Sequence, residues 1–223
     1  MRTPSLTNRL VRMPLFGYGS LVNADTLHRA DVAVLEARLS GWERVWSHRI
    51  PNSDALAEEP RYPLALSIQQ RVGTTIWGVA LCGLSMQEAA ALRSRELFYE
   101  ILEVDLEVRS APDDPWRSLQ AYTYVSPPDW KEAADIATGA RYEIWRSYVH
   151  VVLKGFMDFY KEPGLSHFIS TTSGWAQPYL EDDPPRYPRR ALVDIGPVDQ
   201  ANFDAWVRFA IERDRGATGY SCV

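Results

Sequence analysis

The chain has 223 residues, 46% hydrophobic and 24% charged, a composition typical of a globular protein with a sizeable core. A formal net charge of −5 without a basic stripe argues against nucleic acid as a partner. Two cysteines are too few for a disulfide framework or a four-cysteine zinc site, and no apolar run approaches the roughly 20 residues of a transmembrane helix. We therefore expect a cytoplasmic protein that does not associate with a membrane.

The first structured segment is predicted to follow a disordered leader at residues 1–13, which lacks the apolar stretch of a secretory signal. Leu15 and Phe16 predict the end of a buried strand, and Gly17 and Gly19 let a ligand approach the main chain. Successive N–H groups in such a turn can bind an anion or a polarised carbonyl. The amphipathic run 23–29 predicts a helix whose N-terminal dipole would add to this effect, with Asn23 or Asp25 as its cap. The alternative is a purely structural strand-to-helix turn.

Several common catalytic and metal-binding patterns are absent from the sequence. Val22 stands where a dinucleotide-binding fingerprint needs its third glycine, and no Gly-Lys-Ser/Thr follows for a P-loop. Ser20 lacks the Gly-x-Ser-x-Gly elbow of a hydrolase nucleophile. The four histidines have no metal-ligand spacing, and the sequence shows no site for a metal or organic cofactor, so none is expected.

Alternation of apolar and polar residues predicts most of the strands. The predicted strands are 32–39, 45–50, 64–68, 74–81, 98–108 and 119–125. Turns are expected at Gly41-Trp42 and at Gly73, and a loop over 51–63. Because the strands come in consecutive groups with few helices between them, we predict an α+β fold rather than a doubly wound parallel sheet.

Three further helices are predicted. Ser85 and Glu88 form a capping-box pattern that begins a helix ending close to Glu96. Apolar residues at three- and four-residue steps predict a helix over 143–160, ended by Pro163-Gly164. The last is predicted over 197–213.

The last helix is expected to follow two less regular segments. An irregular excursion is expected over 165–188, and a short edge strand over 190–194. The apolar face of the last helix carries Phe203, Trp206, Val207 and Ala210, which should pack on the rest of the chain.

Two motifs together resemble the gamma-glutamylcyclotransferase family. Tyr18-Gly19-Ser20-Leu21 resembles its glycine signature, and the segment from Leu92 to Tyr99 resembles its Leu-Asp-x-x-Glu-x-x-Tyr segment. The family's catalytic glutamate then corresponds to Glu96, while Arg93 stands where the family has Asp. The resemblance covers residues 14–125 and extends weakly to Tyr160.

The resemblance implies a small mixed β-barrel flanked by helices, and an enzyme that cyclises a γ-glutamyl group to 5-oxoproline. It implies Glu96 as the proton shuttle and Tyr18, Gly19, Ser20 and Leu21 as substrate-binding residues. The main-chain N–H groups of Gly19–Leu21 would bind the oxyanion or the α-carboxylate. Tyr18, Tyr99 and Tyr124 are candidates to line the pocket, or else half-buried core tyrosines.

The predicted organisation is a gamma-glutamylcyclotransferase-like domain over 14–160, followed by a loop, edge strand and helix over 161–223 that pack on the same domain. The expected partner is a small γ-glutamyl compound, such as glutathione or a γ-glutamyl amino acid. Alternatives are a non-catalytic binding protein of the same fold and a γ-glutamyl amide hydrolase or transferase.

Overall fold

The structure is a computed structural model that describes residues 11, 13–27, 32–50, 61–96, 98–127 and 141–218. Eight strands lie in this part of the chain: β1 (Leu15–Gly17), β2 (Ala33–Arg49), β3 (Arg61–Cys82), β4 (Glu100–Arg109), β5 (Arg117–Val125), β6 (Arg141–Trp145), β7 (Thr172–Ser173) and β8 (Tyr179–Leu180). The helices are α1 (Met86–Arg95), α2 (Arg146–Ser170) and α3 (Pro197–Thr218). None of these helices combines the length and apolar character needed to cross a bilayer.

Five strands close into a barrel. They pair in the order β2-β4-β5-β1-β3, and β3 returns to pair with β2. The β1–β5 pair is parallel and the other four pairs are antiparallel, so the barrel is mixed. The predicted fold class, an α+β fold with a small mixed β-barrel flanked by helices, is confirmed.

The two longest strands correct the predicted turns. β2 and β3 each run without reversal through the glycine where a turn was expected, and they pair with each other along most of their length. Gly41 (φ +83°) and Gly73 (φ +84°) lie at a register shift in this ladder, between the pairs Ser40–Thr75 and Trp42–Gln70. Their left-handed backbone therefore forms an irregularity of the bulge type, which bends the strands without ending them. The predicted loop 51–63 falls mostly outside the described residues.

The capping box of α1 is confirmed. The Ser85 hydroxyl accepts from the Glu88 N–H at 3.2 Å, and the Glu88 carboxylate accepts from the Ser85 N–H at 2.6 Å. Both bonds satisfy donors that a helix N-terminus otherwise leaves unpaired. The helix ends with Glu96 as its C-cap residue, as predicted.

The second helix begins later than predicted, and a break at Lys161 lies where its end was predicted. Residues 141–145 form β6, and α2 begins at Arg146, where the Asp182 carboxylate accepts from the Ser147 N–H at 2.8 Å. Lys161 interrupts the helix with φ 62° and ψ −158°, and helical structure then resumes to Ser170. Pro163 is tolerated because it falls in the first turn after this break, where its missing N–H costs no hydrogen bond.

The C-terminal part is more regular than the sequence predicted. The segment 165–188 contributes the end of α2 and the short strands β7 and β8, so it is not an irregular excursion. Residues 190–194 overlap a 3₁₀ helix, Pro188–Leu192, instead of forming an edge strand. Helix α3 continues past Gly216.

Helix α3 packs on α2 and the segment that follows it. Phe203, Val207 and Ala210 are buried, whereas Trp206 is only half-buried. The Arg213 guanidinium donates to the carbonyls of Ile169 (2.9 Å) and Thr172 (3.1 Å). The predicted domain boundaries remain predictions, and the predicted leader lies almost entirely outside the described residues.

Candidate active site

The residues singled out in the sequence lie around one small cavity of about 30 Å³, between the end of β1 and the end of α1. They are Tyr18, Gly19, Ser20, Leu21, Glu96, Tyr99 and Tyr124. We call this space the inner cavity. Phe16, Leu66 and Tyr148 complete its described lining, and Tyr148 was not singled out from the sequence.

The loop after β1 is tightly packed, which explains its glycines. A Cβ at Gly17 would lie 2.6 Å from the Cβ of Leu21, closer than real Cβ contacts allow. Gly19 has φ −126° and ψ −128°, and a Cβ there would lie 3.4 Å from both Leu66 Cδ1 and the Tyr148 hydroxyl. The close approach of Leu21 therefore requires glycine at position 17, whereas a Cβ at Gly19 would be in van der Waals contact with both neighbours.

The helix predicted after this loop is replaced by two short 3₁₀ turns, Ser20–Val22 and Ala24–Leu27. The Asn23 Oδ1 accepts from the Asp25 N–H at 3.1 Å, so Asn23, one of the two predicted caps, caps the second turn. Turns this short do not build the macrodipole of a long helix. The expected contribution of a helix dipole was therefore wrong for the described residues.

Three consecutive N–H groups remain available at the inner cavity. In the described part of the chain, the N–H groups of Gly19, Ser20 and Leu21 donate to no acceptor, whereas the Val22 N–H returns to the Gly19 carbonyl at 3.0 Å. Free donors at the start of a helical turn are the rule, and a ligand can satisfy them. The loop thus offers main-chain donors beside Glu96.

A buried cation holds this loop in place. Arg44 on β2 is fully buried, and its Nε donates to the Tyr18 carbonyl at 2.8 Å. Its other nitrogens donate to the Thr171 hydroxyl at 2.8 Å and to the Trp77 carbonyl. Burial lowers the pKa of Arg44, and these three acceptors offset the loss of hydration. Arg44 therefore ties the barrel, the loop and the end of α2 together.

Glu96 lies at the junction of α1 and the barrel. Its N–H donates to the Leu92 carbonyl at 2.9 Å, and one carboxylate oxygen lies 2.9 Å from the Arg95 Nε. Only 15% of its side chain is exposed. Burial raises the pKa of Glu96, although the charges of Arg95 and Arg189 act in the opposite direction. Such a carboxylate can accept a proton and return it.

Arg95 is fixed by the loop that it faces. Its Nη2 donates to the Ser20 hydroxyl at 2.7 Å, and its Nη1 lies 3.2 Å from both the carbonyl and hydroxyl oxygens of Thr26. Because the same guanidinium also contacts Glu96, Arg95 fixes the carboxylate relative to the loop. The sequence pattern gave Arg95 no role, although it precedes Glu96 directly.

The tyrosines around the inner cavity are neutral hydrogen-bond donors. The Tyr18 hydroxyl donates to the Tyr124 carbonyl, and the Tyr99 hydroxyl to the Leu66 carbonyl, both at 2.7 Å. The Tyr124 hydroxyl is buried, and none of the described groups forms a hydrogen bond with it. Burial raises the pKa of all three. Of these three tyrosines, Tyr124 is therefore the one with a hydroxyl available to a ligand.

Arg93, the departure from the family pattern, makes a local contact. Its Nη1 donates to the Tyr99 carbonyl at 3.3 Å, across the connection between α1 and β4. Phe98 in this connection has a left-handed φ of 75°, which is uncommon for a residue with a large side chain. Arg93 thus helps to hold the chain reversal that places Tyr99 beside Glu96.

His48 supports Tyr99 from behind. Its ring stacks on the Tyr99 ring with centroids 3.5 Å apart, and its Nδ1 lies 2.8 Å from the Ser126 hydroxyl. Burial lowers the pKa of His48 to about 4, so the ring is neutral at physiological pH. The sequence offers no indication of this contact, because it joins strands that are distant in the chain. In the described ranges no group of three or more His, Cys, Asp or Glu side chains could hold a metal ion.

A second space, which we call the outer cavity, adjoins the inner one. It measures about 220 Å³ and shares Ser20, Glu96, Tyr99 and Tyr148 with the inner cavity. A neighbouring cavity of about 280 Å³ is mainly apolar and touches neither Glu96 nor the loop residues 18–21. Of these three spaces, the inner and outer cavities are therefore the ones lined by residues singled out in the sequence.

Comparison with known proteins identifies structural similarity only. No sequence-family profile matches the chain, and no curated protein matches it. A solved structure named gamma-glutamyl cyclotransferase aligns with 86% of this chain and 98% of its own, at 14% identity and a TM-score of 0.46. An uncharacterized protein from Homo sapiens aligns over the same shares at 14% identity and a TM-score of 0.45. A protein from Arabidopsis thaliana aligns with 53% of this chain and 73% of its own, at 21% identity and a TM-score of 0.38.

Proposed function

We propose that this protein is a gamma-glutamylcyclotransferase-type enzyme, which cyclises a γ-glutamyl group to 5-oxoproline and releases an amine. The observation that carries this proposal is the position of Glu96. A largely buried carboxylate with a raised pKa lines the same small cavity as the three free N–H groups of the loop. This pairing of a proton carrier with anion-binding donors suits acyl transfer to an amine.

The reaction needs no external nucleophile. The α-amine of the γ-glutamyl group attacks the γ-carbonyl carbon, a C–N bond closes the five-membered ring, and the C–N bond to the leaving amine breaks. Because the nucleophile is tethered to its target, holding the chain in a closed conformation supplies much of the acceleration. The proton transfers from the attacking nitrogen and to the leaving nitrogen remain to be catalysed.

Glu96 can perform these transfers in turn. As a carboxylate it takes a proton from the α-ammonium group, and as a carboxylic acid it returns that proton to the departing nitrogen. The ring nitrogen then loses its second proton to the regenerated carboxylate, which passes it to the released amine, so that the amine leaves as an ammonium ion. The N–H groups of Gly19–Leu21 are available to an anionic oxygen, either the oxyanion or the α-carboxylate. The Tyr124 hydroxyl is a further donor within the same lining.

The direct test is incubation of the purified protein with a panel of γ-glutamyl compounds, followed by mass spectrometry of the products. Free 5-oxoproline together with the released amine supports the proposal. Free glutamate instead supports a hydrolase, and transfer of glutamate to a second amine supports a transferase. Measurable binding without any product supports the second candidate, a binding protein of the same fold.

A pH prediction follows from the raised pKa of Glu96. Because the proposed base is active as the carboxylate, kcat/KM should fall as the pH decreases through the pKa of Glu96. We expect the apparent pKa of this acid limb to lie above the value of about 4.3 of an ordinary glutamate. Initial rates of 5-oxoproline formation across pH 4–8 measure it. An acid limb at or below 4.3 would contradict a buried glutamate as the base.

Gly19→Val should abolish ligand binding and leave the fold intact. The Cβ would already touch Leu66 and Tyr148 at 3.4 Å, so the two methyl groups beyond it must occupy the inner cavity or displace its walls. Calorimetry with a γ-glutamyl substrate measures binding, and far-UV circular dichroism checks the fold. Gly216→Val is the matched control, since nothing lies within 4 Å of its Cβ position. Binding unchanged by Gly19→Val would mean that the loop is only a structural turn.

A further inference from the structure

The neighbouring cavity of about 280 Å³ is a space that the proposed reaction does not use. We call it the lateral cavity. It lies between α1 and the second 3₁₀ turn after β1, and its described lining is mainly apolar. The apolar residues of the lining are Leu27, Val32, Leu81, Leu84, Ala91 and Leu92. Three of these leucines are buried, whereas Ala91 is exposed and marks the open side. A space of this size and composition suits the chain of a small apolar ligand.

One end of the lateral cavity is positively charged. Arg95 and Arg189 line it and also line the outer cavity, so they stand where the two spaces meet. Arg95 already contacts Glu96 and Ser20. Arg189 lies on the 3₁₀ helix Pro188–Leu192, is half-buried, and forms no hydrogen bond or ion pair with the described residues. Arg189 is therefore the guanidinium of the described lining that remains available to an anion.

The segment that carries Arg189 is fixed to the start of α2. The buried Asp182 carboxylate accepts from the N–H groups of Ser147 (2.8 Å) and Arg186 (2.6 Å). The Ser147 hydroxyl in turn accepts from the Tyr187 N–H at 3.0 Å. An arginine held on an ordered segment loses less conformational entropy when it binds a ligand.

The charges of the wall formed by α1 differ between its two ends. Glu88, Leu92 and Arg95 line the cavity at four- and three-residue steps, so they follow one face of the helix. About two helical turns, roughly 10 Å along the axis, separate Glu88 from Arg95. The Glu88 carboxylate is held at the helix N-terminus by the Ser85 N–H. An anion is thus repelled from the Glu88 end and attracted to the end where Arg189 lies.

We propose that the lateral cavity binds an aliphatic carboxylate, with its hydrocarbon chain among the apolar side chains and its head group on Arg189. A guanidinium can offer a carboxylate two parallel hydrogen bonds. Burial of the chain strengthens binding roughly fourfold for each fully buried methylene. Neither Glu96 nor the loop residues 18–21 line this cavity, so the inference does not depend on the proposed cyclisation.

The test is calorimetry of the purified protein with octanoate, butyrate and 1-octanol. Butyrate keeps the charge of octanoate but lacks four of its methylenes, and 1-octanol keeps the chain length without the charge. We expect octanoate to bind roughly tenfold or more tightly than either of the other probes. Butyrate that binds as tightly as octanoate would mean that the apolar lining contributes nothing. Equal affinity for 1-octanol would mean that Arg189 contributes nothing. Either result, or no binding of octanoate, would overturn the proposal.

Two substitutions locate the chain and the head group. Ala91→Trp places a bulky ring at the open side of the cavity and should weaken octanoate roughly tenfold or more. Ala90→Trp is its matched control, because Ala90 is the neighbouring exposed residue of α1 and does not line the cavity. Arg189→Gln should weaken octanoate to a similar degree and leave 1-octanol unchanged. Arg186→Gln removes a charge from the same segment outside the cavity and should change neither. Octanoate binding that survives Ala91→Trp or Arg189→Gln in a folded variant would contradict the proposed site.

Discussion

Glu96→Gln is expected to lower turnover by roughly 10²-fold or more, the usual scale for loss of a general acid–base group, while substrate binding persists. Glutamine keeps the length of the side chain and an oxygen that can accept from the Arg95 Nε, now 2.9 Å from the carboxylate. It cannot take a proton from the α-ammonium group. Single-turnover formation of 5-oxoproline by the variant, with calorimetry for affinity, separates the chemical step from binding.

This substitution should not destabilise the fold at neutral pH. The pKa of Glu96 is raised by burial, so ionised Glu96 is less favourable in the folded protein than in the unfolded chain. The stability that the raised pKa provides is present at low pH and is lost as the pH rises through the folded-state pKa. A neutral glutamine avoids this loss at pH 7, and thermal unfolding should occur at or above the wild-type temperature.

Glu103→Gln is the matched control for charge, since Glu103 is an exposed residue of β4 outside both cavities. It should retain wild-type turnover. If Glu96→Gln protein is folded, binds substrate and turns it over at the wild-type rate, Glu96 is not the proton carrier. The three free N–H groups of the loop would then be the surviving part of the proposed mechanism.

The local features of this site could be predicted from sequence because they depend on residues that are close in the chain. The capping box of Ser85 and Glu88 fixes where α1 begins, and ten residues of helix then place Glu96 at its C-terminal end. Gly17, the last residue of β1, marks a close approach of the main chain to Leu21. These patterns reflect steric contacts and hydrogen bonds between residues that are close in the chain, so a short stretch of sequence is enough to identify them.

The barrel itself was harder to predict. Period-two alternation identified the β-segments, but it does not distinguish a glycine that reverses the chain from one that forms a bulge. Gly41 and Gly73 both have a left-handed backbone, and only the pairing of β2 with β3 determines that neither ends its strand. Strand length was therefore underestimated wherever a glycine interrupted the pattern.

The residues that support the site could not be predicted from the sequence, for a different reason. Arg44 and His48 are on β2, where a charged or polar residue in an alternating strand is expected to face solvent. Both are fully buried, because partners from distant segments surround them: Tyr18, Trp77 and Thr171 for Arg44, and Tyr99 and Ser126 for His48. Such contacts exist only once the barrel closes and α2 packs on it.

Removal of Arg44 should be the most destabilising of the substitutions considered. In Arg44→Met the apolar part of the side chain is retained, but the carbonyls of Tyr18 and Trp77 and the Thr171 hydroxyl lose their donor. A buried acceptor without a partner costs about 1–3 kcal/mol. The favourable contacts of the guanidinium with the rings of Phe156 (4.9 Å) and Phe168 (5.2 Å) are also lost. Relief of the desolvation of the buried charge offsets part of this cost, so we expect a net loss of roughly 2–5 kcal/mol.

Urea unfolding at 25 °C, analysed by linear extrapolation, measures this loss. Arg38→Met is the matched control on the same strand, because Arg38 pairs with Glu107 at 2.8 Å with side chains 33% and 43% exposed. Such a partly exposed pair contributes about 1 kcal/mol or less. Arg44→Lys keeps the charge but not the fork of donors, and should fall between Arg44→Met and the wild type. A stability of Arg44→Met within about 1 kcal/mol of the wild type would mean that the three acceptors find other donors. Arg44 would then not be the residue that fixes the Tyr18 carbonyl, and with it the loop, beside Glu96.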